Sequence, residues 1–285
     1  MNLIEQLWQA HQRHRPLVMG IVNVTPDSFS DGGRHDRRDA AVAHALKLVE
    51  QGADILDIGG ESTRPGAAPV TVNDEQTRVV PVIEELAGKT DVPISIDTSK
   101  PDVMRAAAEA GACMINDVNG LRADGAVEAA AALGVVVCLM HMQGQPRTMQ
   151  SDPRYDDVVL DVRNFLAERI EVCLAAGIDR RRLMVDPGFG FGKTLDHNLA
   201  LLARLADFRE LEVPVLAGLS RKSMLGTLTG RQQPDQRLAA SLAAAMLAAQ
   251  SGAAVIRVHD VAETVDVLRV QAAVTDAGRG YNNGL

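Results

Sequence analysis

The sequence predicts an α/β fold, a single (β/α)8 TIM barrel spanning residues 1–285. Three observations lead to it. Eight short runs rich in Val and Ile recur along the chain, each bounded by Gly or Pro. The runs are nearly continuous in apolar character, as expected of parallel strands covered on both faces. Segments of helical period lie between them, so strand and helix alternate eight times. A doubly wound open sheet is the rival. It normally has fewer strands and tends to open with GxGxxG, which is absent here.

The elements follow in order. Residues 1–15 read as an N-terminal extension without the apolar core of a signal peptide. The strands are expected at Leu17–Val24, Asp54–Ile58, Pro93–Asp97, Met114–Val118, Val135–Met140, Leu183–Asp186, Val213–Gly218 and Ala254–Val258. Asp39–Gln51 has Ala, Leu and Val at three- and four-residue spacing and meets Gly52, a C-cap signal. The same exit from helix to strand recurs at Ala110-Gly111-Ala112 and Ser251-Gly252-Ala253. Pro101 suits the first position of a helix over Pro101–Ala110. The Ala-rich segment Gln236–Ser251 should pack closely on the barrel or on another subunit. Pro65–Asp74 and Gln143–Arg154 read as mobile loops, and Gly278–Leu285 as a frayed tail.

Composition narrows the function. Of 285 residues, 46% are apolar but only 3% aromatic, so a large core must be built from Ala, Val, Leu, Ile and Met. A net charge of -8 with no basic stripe argues against nucleic-acid binding. No stretch reaches the roughly 20 apolar residues of a membrane span. Cys113, Cys138 and Cys173 are odd in number and form no CxxC pair. They read as buried, reduced thiols and favour the cytoplasm. No zinc-site spacing and no GxSxG nucleophile elbow occurs.

The strand ends carry the polar chemistry, as catalytic groups do in such barrels. The first ends in Asn23, the third in Asp97-Thr-Ser-Lys100, the fourth in Asn116-Asp117, the sixth in Asp186 and the eighth in Arg257-Val-His259. Any one of these could be a helix cap or turn residue, but capping alone would not put a polar group at every strand end. Arg257 and His259 are two apart and share a face, which suits an anion such as diphosphate. Ser220-Arg-Lys-Ser223 can open a helix whose free N–H groups receive an anion. Gly188, Gly190 and Gly192 around Phe189 and Phe191 let backbone and ring approach a flat ligand. Asp97, Asn116 and Asp186 suit a heterocycle with ring N–H and amino groups. Asp57 reads as a buried structural carboxylate. His141 stays ambiguous, and Glu61 is either structural or shapes its loop.

At these residues the chain resembles the dihydropteroate synthase family. Met19–Gly33, MGIVNVTPDSFSDGG, and Gly52–Gly66, GADILDIGGESTRPG, are similar to its two signatures. SIDTSKP, INDVNG, LMHMQGQPRTMQ, DPGFGFGK, GLSRKSMLG and VIRVHDV match further blocks, covering roughly residues 16 to 275 in all.

The resemblance implies condensation of 6-hydroxymethyl-7,8-dihydropterin diphosphate with 4-aminobenzoate, giving 7,8-dihydropteroate and diphosphate in folate biosynthesis. It implies a Mg²⁺-requiring homodimer and a sulfonamide target. By motif match, Asp97, Asn116, Asp186, Lys222 and Arg257 would hold the pterin, with Met140 and Phe191 lining its pocket and Gly218 close by. Asn23, Arg257 and His259 would hold the diphosphate, with Asn23 on Mg²⁺. Phe29, Thr63, Arg64, Pro65, Lys222 and Ser223 would form the 4-aminobenzoate pocket. Asp97, Asn23, Lys222, Arg257 and His259 are the residues expected to act in catalysis. The chemistry expected is a dissociative, SN1-like step with Asp97 favouring a pterin cation. Asp27 and Ser62–Gly66 would close over the site. Two other readings are a pterin-binding methyltransferase domain and a catalytically silent pterin-binding paralogue. The first would not be expected to keep Ser220–Ser223 together with Ser62–Pro65, and intact motifs argue against the second.

Overall fold

The computed structural model describes residues 2–25, 34–62, 69–144 and 148–282. Helix α1 (Leu3–Arg13) precedes β1 (Leu17–Asn23). The alternation then runs α2 (Arg34–Glu50), β2 (Ile55–Gly59), α3 (Val72–Ala87), β3 (Ile94–Asp97), α4 (Pro101–Glu109) and β4 (Met114–Asp117). It continues α5 (Ala126–Leu133), β5 (Val136–Met140), α6 (Val158–Ala175), β6 (Leu183–Asp186), α7 (Leu195–Ala203) and β7 (Leu216–Ala217). It closes with α8 (Ser223–Thr229), α9 (Leu238–Gln250), β8 (Val255–Val258) and α10 (Val261–Asn282).

All strand pairs are parallel, in the order β6-β5-β4-β3-β2-β1-β8-β7. A bridge between Val185 and Val215 joins the outer strands β6 and β7 and closes the barrel. The expected (β/α)8 architecture is therefore observed.

Side-chain alternation divides the barrel interior into two layers. The lower layer is apolar: Met19, Ile55, Met114, Val136, Met184, Leu216 and Val255 form one buried cluster. Leu3 and Leu7 of α1 pack onto it, so the N-terminal extension is a helix sealing the bottom of the barrel. Two residues further along the strands the inward positions become Asp57, Asn116, Asp186, Gly218 and Arg257. A period of 2 puts these groups on the same face as the apolar layer, one step nearer the C-terminal rim. Outward-facing strand residues such as Val22, Ile58, Ile96, Ile115 and Val185 join the helices in the larger core.

Several expectations are adjusted in detail. α2 starts at Arg34 rather than Asp39; its first turns are charged and carry no apolar period to announce them. β7 is only Leu216–Ala217 instead of Val213–Gly218, because Pro214 has no N–H for the ladder. The expected loop Pro65–Asp74 turns helical at Val72, capped where Thr71 Oγ1 accepts from Asp74 N (3.1 Å). The Gln143–Arg154 segment is clasped: Gln143 donates to Arg154 O (2.8 Å) and accepts from Arg154 N (3.0 Å). α10 stays helical through Gly278 to Asn282. Gly52, Gly111 and Gly252 have φ of 98°, 119° and 93°, so glycine suits all three helix-to-strand turns. Cys138 and Cys173 are buried and Cys113 half-buried, all as free thiols.

Candidate active site

The polar upper layer converges on one rim. Asn23, Gly59, Asp97 and Asn116 are successive partners across β1 to β4. Met140 pairs with Asp186 across β5 and β6. Gly59, lacking a side chain, leaves room between Asn23 and Asp97; a Cβ there would lie 3.8 Å from Asn23 Oδ1 and 3.6 Å from Asp97 Cβ.

Arg257 organises the floor. Its Nε donates to Asp57 Oδ2 (2.6 Å) and its Nη2 to Asp97 Oδ2 (2.8 Å). Asp57 Oδ2 also accepts from Asn116 Nδ2 (3.0 Å). Burial pushes Asp97 up to about 7; Arg257 pulls it down, and the carboxylates of Asp57, Glu75 and Asp117 push it further up. Burial also raises Asp186, opposed by the Gly188 N–H (2.7 Å to Oδ1) and by Lys222.

Lys222 completes the ring pocket. Burial brings it down to about 8, with Asp186 opposing the fall. Its Nζ stands 4.2 Å from the centroid of the Phe191 ring, a cation–π contact. Phe191 packs against Met140, Met142 and Met149. A Cβ on Gly218 would sit 3.9 Å from Asp186 Oδ2, so this glycine keeps the wall open beside that carboxylate. Asp97, Asn116, Asp186, Lys222, Arg257, Met140, Phe191 and Gly218 thus occupy one connected set of strand ends.

The residues expected to take an anion lie beside them. His259 Nδ1 is 3.0 Å from Ser220 Oγ, and that hydroxyl oxygen accepts from His259 N (3.2 Å). The hydroxyl proton is then free for Nδ1, which leaves Nε2 as the N–H donor. Burial, with Arg257 and Arg221 nearby, drives His259 down to about 3, so it acts as a neutral donor rather than a cation. Ser223, exposed, opens α8 with Lys222 as its N-cap. Arg221 turns away and binds Asp260, with Nε–Oδ2 at 3.0 Å. Phe29, Thr63, Arg64 and Pro65 lie outside the described residues, as do Asp27 and all but Ser62 of the segment expected to close over the site.

Three residues that sequence reasoning left unassigned gain places. Asp57 underlies the floor. Glu61 anchors the base of its loop: Oε1 accepts from Val70 N (3.0 Å), and Oε2 binds Lys100 Nζ. His141 meets a residue sequence reasoning missed, Lys193, whose buried Nζ lies 3.0 Å from His141 Nδ1. The same ammonium donates to Gly188 O (2.9 Å) and Phe191 O (3.0 Å). The available signal was a lysine ending a glycine-rich run, GFGFGK.

Among the described residues no cluster of three or more His, Cys, Asp or Glu could form a metal cage. Asn23 offers a single neutral amide oxygen at the rim. A hard ion such as Mg²⁺ fits that donor where a substrate's phosphate oxygens and water supply the remaining ligands.

The fold and this rim define a barrel enzyme that receives a flat, polar heterocycle beside an anion. A family model described as pterin binding enzyme matches residues 19–259. The dihydropteroate synthase of Escherichia coli strain K12 is 55% identical over 262 residues, covering 92% of this chain and 93% of that protein. The dihydropteroate synthase of Xanthomonas albilineans with 4-aminobenzoic acid superposes with a TM-score of 0.88 at 61% identity, covering 92% and 94% of the two chains. In complex with 7,8-dihydropteroate that enzyme gives a TM-score of 0.85 at 58% identity, covering 92% and 95%. The chain belongs to the dihydropteroate synthase family.

Proposed function

We propose that this chain condenses 6-hydroxymethyl-7,8-dihydropterin diphosphate with 4-aminobenzoate, releasing diphosphate and 7,8-dihydropteroate for folate biosynthesis. The observation that carries the reading is the rim itself: Asp97, Asn116, Asp186 and Lys222 meet at the strand ends, with Arg257 and His259 beside them. A pterin edge carries ring N–H and amino donors, which carboxylates and an amide oxygen accept. Its carbonyl accepts from an ammonium, the role of Lys222. Met140 and Phe191 cover the apolar faces, and Gly218 admits the ring edge.

The diphosphate is placed at Arg257, His259 and Asn23, where a guanidinium and an imidazole N–H meet the charge gained on departure. Mg²⁺ on Asn23, when bound, would neutralise part of that charge. The dihydropterin is electron-rich, so cationic character spreads into its ring as the carbon–oxygen bond breaks. Asp97, ionised beside that ring, favours the cation. The aryl amine of 4-aminobenzoate then attacks, and no protein nucleophile is required. The amine partner is assigned to Lys222 and Ser223 together with Phe29, Thr63, Arg64 and Pro65.

A homodimer and a cytoplasmic location belong to the same reading. Exposed Met246 and Leu247 on α9 and Val270 and Val274 on α10 support the first, since α9 and α10 are packed together. Three free thiols support the second. Among the described residues no helix is long and apolar enough to cross a membrane.

The test is formation of dihydropteroate and diphosphate by the purified protein, with and without Mg²⁺. Turnover that needs both substrates and the ion is expected. Pterin binding without turnover would favour a silent paralogue, and pterin-dependent methyl transfer without 4-aminobenzoate a methyltransferase.

A further inference from the structure

Asp57 is fully buried inside a strand that otherwise reads Ile, Leu, Ile, Gly. One turn of the strand alternation below it, Ile55 fills the equivalent inward position with hydrocarbon. A carboxylate there is expensive unless its oxygens are used. Oδ2 is used twice, by Asn116 and Arg257, while Oδ1 accepts no hydrogen bond from a described residue. Packing alone does not account for this residue.

We propose that Asp57 is the positioning residue of the ring pocket, setting which end of the Asn116 amide a ligand meets and where the Arg257 guanidinium points. The inference rests on the pterin reading above and goes beyond it. Because Oδ2 takes an N–H from Asn116, the nitrogen end of that amide is turned toward β2. The carbonyl end is left for the ring, so the pocket presents acceptors at Asn116, Asp97 and Asp186 and a donor at Lys222. A dihydropterin edge with several N–H groups and one carbonyl matches that pattern. The second effect is on Arg257. With Nε held by Asp57, only Nη2 reaches Asp97. Without Asp57 the guanidinium can pair with Asp97 through both nitrogens, closing off the carboxylate that faces the ring and withdrawing positive charge from the diphosphate.

The test uses Asp57→Asn, Asp57→Leu, Asn116→Asp and the double variants Asp57→Asn/Asn116→Asp and Asp57→Leu/Asn116→Asp. Calorimetric Kd for dihydropterin diphosphate is read beside steady-state KM for both substrates. Asp57→Asn keeps an oxygen for both bonds; Asp57→Leu keeps none. Asp57→Leu is expected to weaken dihydropterin diphosphate on the order of a hundredfold and leave the 4-aminobenzoate KM within about threefold, with Asp57→Asn recovering roughly tenfold. Asn116→Asp sets two carboxylates face to face and should lose affinity. Adding Asp57→Asn restores a donor between them, so the double variant should bind roughly tenfold better than Asn116→Asp alone. Asp57→Leu/Asn116→Asp, which removes the same charge but offers no donor, should show no such rescue; equal recovery in both double variants means relief of repulsion only and overturns the proposal.

A folded Asp57→Leu that keeps wild-type affinity, or Asp57→Asn/Asn116→Asp no better than Asn116→Asp, also overturns the proposal. If Asp57→Leu does not fold, the rescue arm decides. Wild-type protein that binds the dihydropterin but forms no dihydropteroate defeats the functional reading, and the Kd values still decide for Asp57. Wild-type protein that does neither overturns both.

Discussion

Asp97 stands where burial and charge oppose each other. Burial and three neighbouring carboxylates push its proton affinity up to about 7, while the guanidinium of Arg257 resists. The ionised form is the one that accepts a ring N–H and faces a developing cation. The sign follows: the active form dominates above about pH 7 and is lost as pH falls through it. The kcat/KM for dihydropterin diphosphate should therefore show an acid limb near 7, with a slope of about tenfold per pH unit. Asp97→Asn should lower kcat on the order of a hundredfold and flatten that limb. An unchanged limb in Asp97→Asn would reassign it to another group. At this scale the sequence was legible wherever a polar group broke an apolar run at its end. Asn23, Asp97, Asn116, Asp186 and Arg257 all stood out that way. Asp57 stood inside a run, and its use depends on Arg257, 200 positions along the chain. No local spacing encodes that pairing.

Elements carry the site through their ends. The β5 and β6 termini are locked together by close backbone approach: a Cβ on Gly188 would fall 2.0 Å from His141 O. Gly188 has φ of 71°, so glycine satisfies both the space and the conformation. Lys193 donates to carbonyls at Gly188 and Phe191 of its own loop and reaches across to His141, at Nδ1 (3.0 Å) and at the main-chain oxygen (3.4 Å). Burial pulls Lys193 down to about 7; the Asp186 carboxylate opposes the fall and Lys222 adds to it. Lys193→Met would take the ammonium from the Phe191 carbonyl at about 1–3 kcal/mol, while Gly188 O keeps its bond from Phe191 N (3.1 Å). It should also loosen Phe191, and with it the ring wall against Lys222. Steady-state kinetics should show KM rising for the dihydropterin substrate and not for 4-aminobenzoate; equal rises would mean the clasp acts only on overall stability. The existence of the elements was legible because buried parallel strands need unbroken apolar runs. Their ends were less so: the shortened β7 follows from Pro214, and the first turns of α2 are charged, with no apolar period to mark them. The clasp was invisible, since it joins Lys193 to His141, 52 positions apart, with no local spacing between them.

The whole barrel is a gradient from hydrocarbon to polar groups along its axis. Its bottom is closed by α1, where Leu3, Leu7 and Ala10 are buried and Trp8 Nε1 donates to Arg181 O (2.9 Å). Its top holds every described residue assigned to substrate. Sequence reasoning saw residues 1–15 only as an extension, because a helix of eleven residues with mixed polarity gives no sign of what it covers. The separation has a measurable consequence. Leu7 belongs to the buried cluster that holds Met19, Ile55 and Met184, and that cluster includes none of the polar rim residues. Leu7→Ala should cost about 2–5 kcal/mol through lost burial and a residual cavity. For a chain of this length that corresponds to a fall in melting temperature on the order of 10 °C. Both KM values and the pH profile should stay at wild-type values below the melting range, because the polar layer is held by strand pairing and by the Asp57–Arg257–Asp97 contacts rather than by the plug. A Leu7→Ala protein with normal melting would mean that α1 only rests on the barrel. A large KM change at full folding would mean that the two layers move as one body, and that the rim depends on how tightly the bottom is packed.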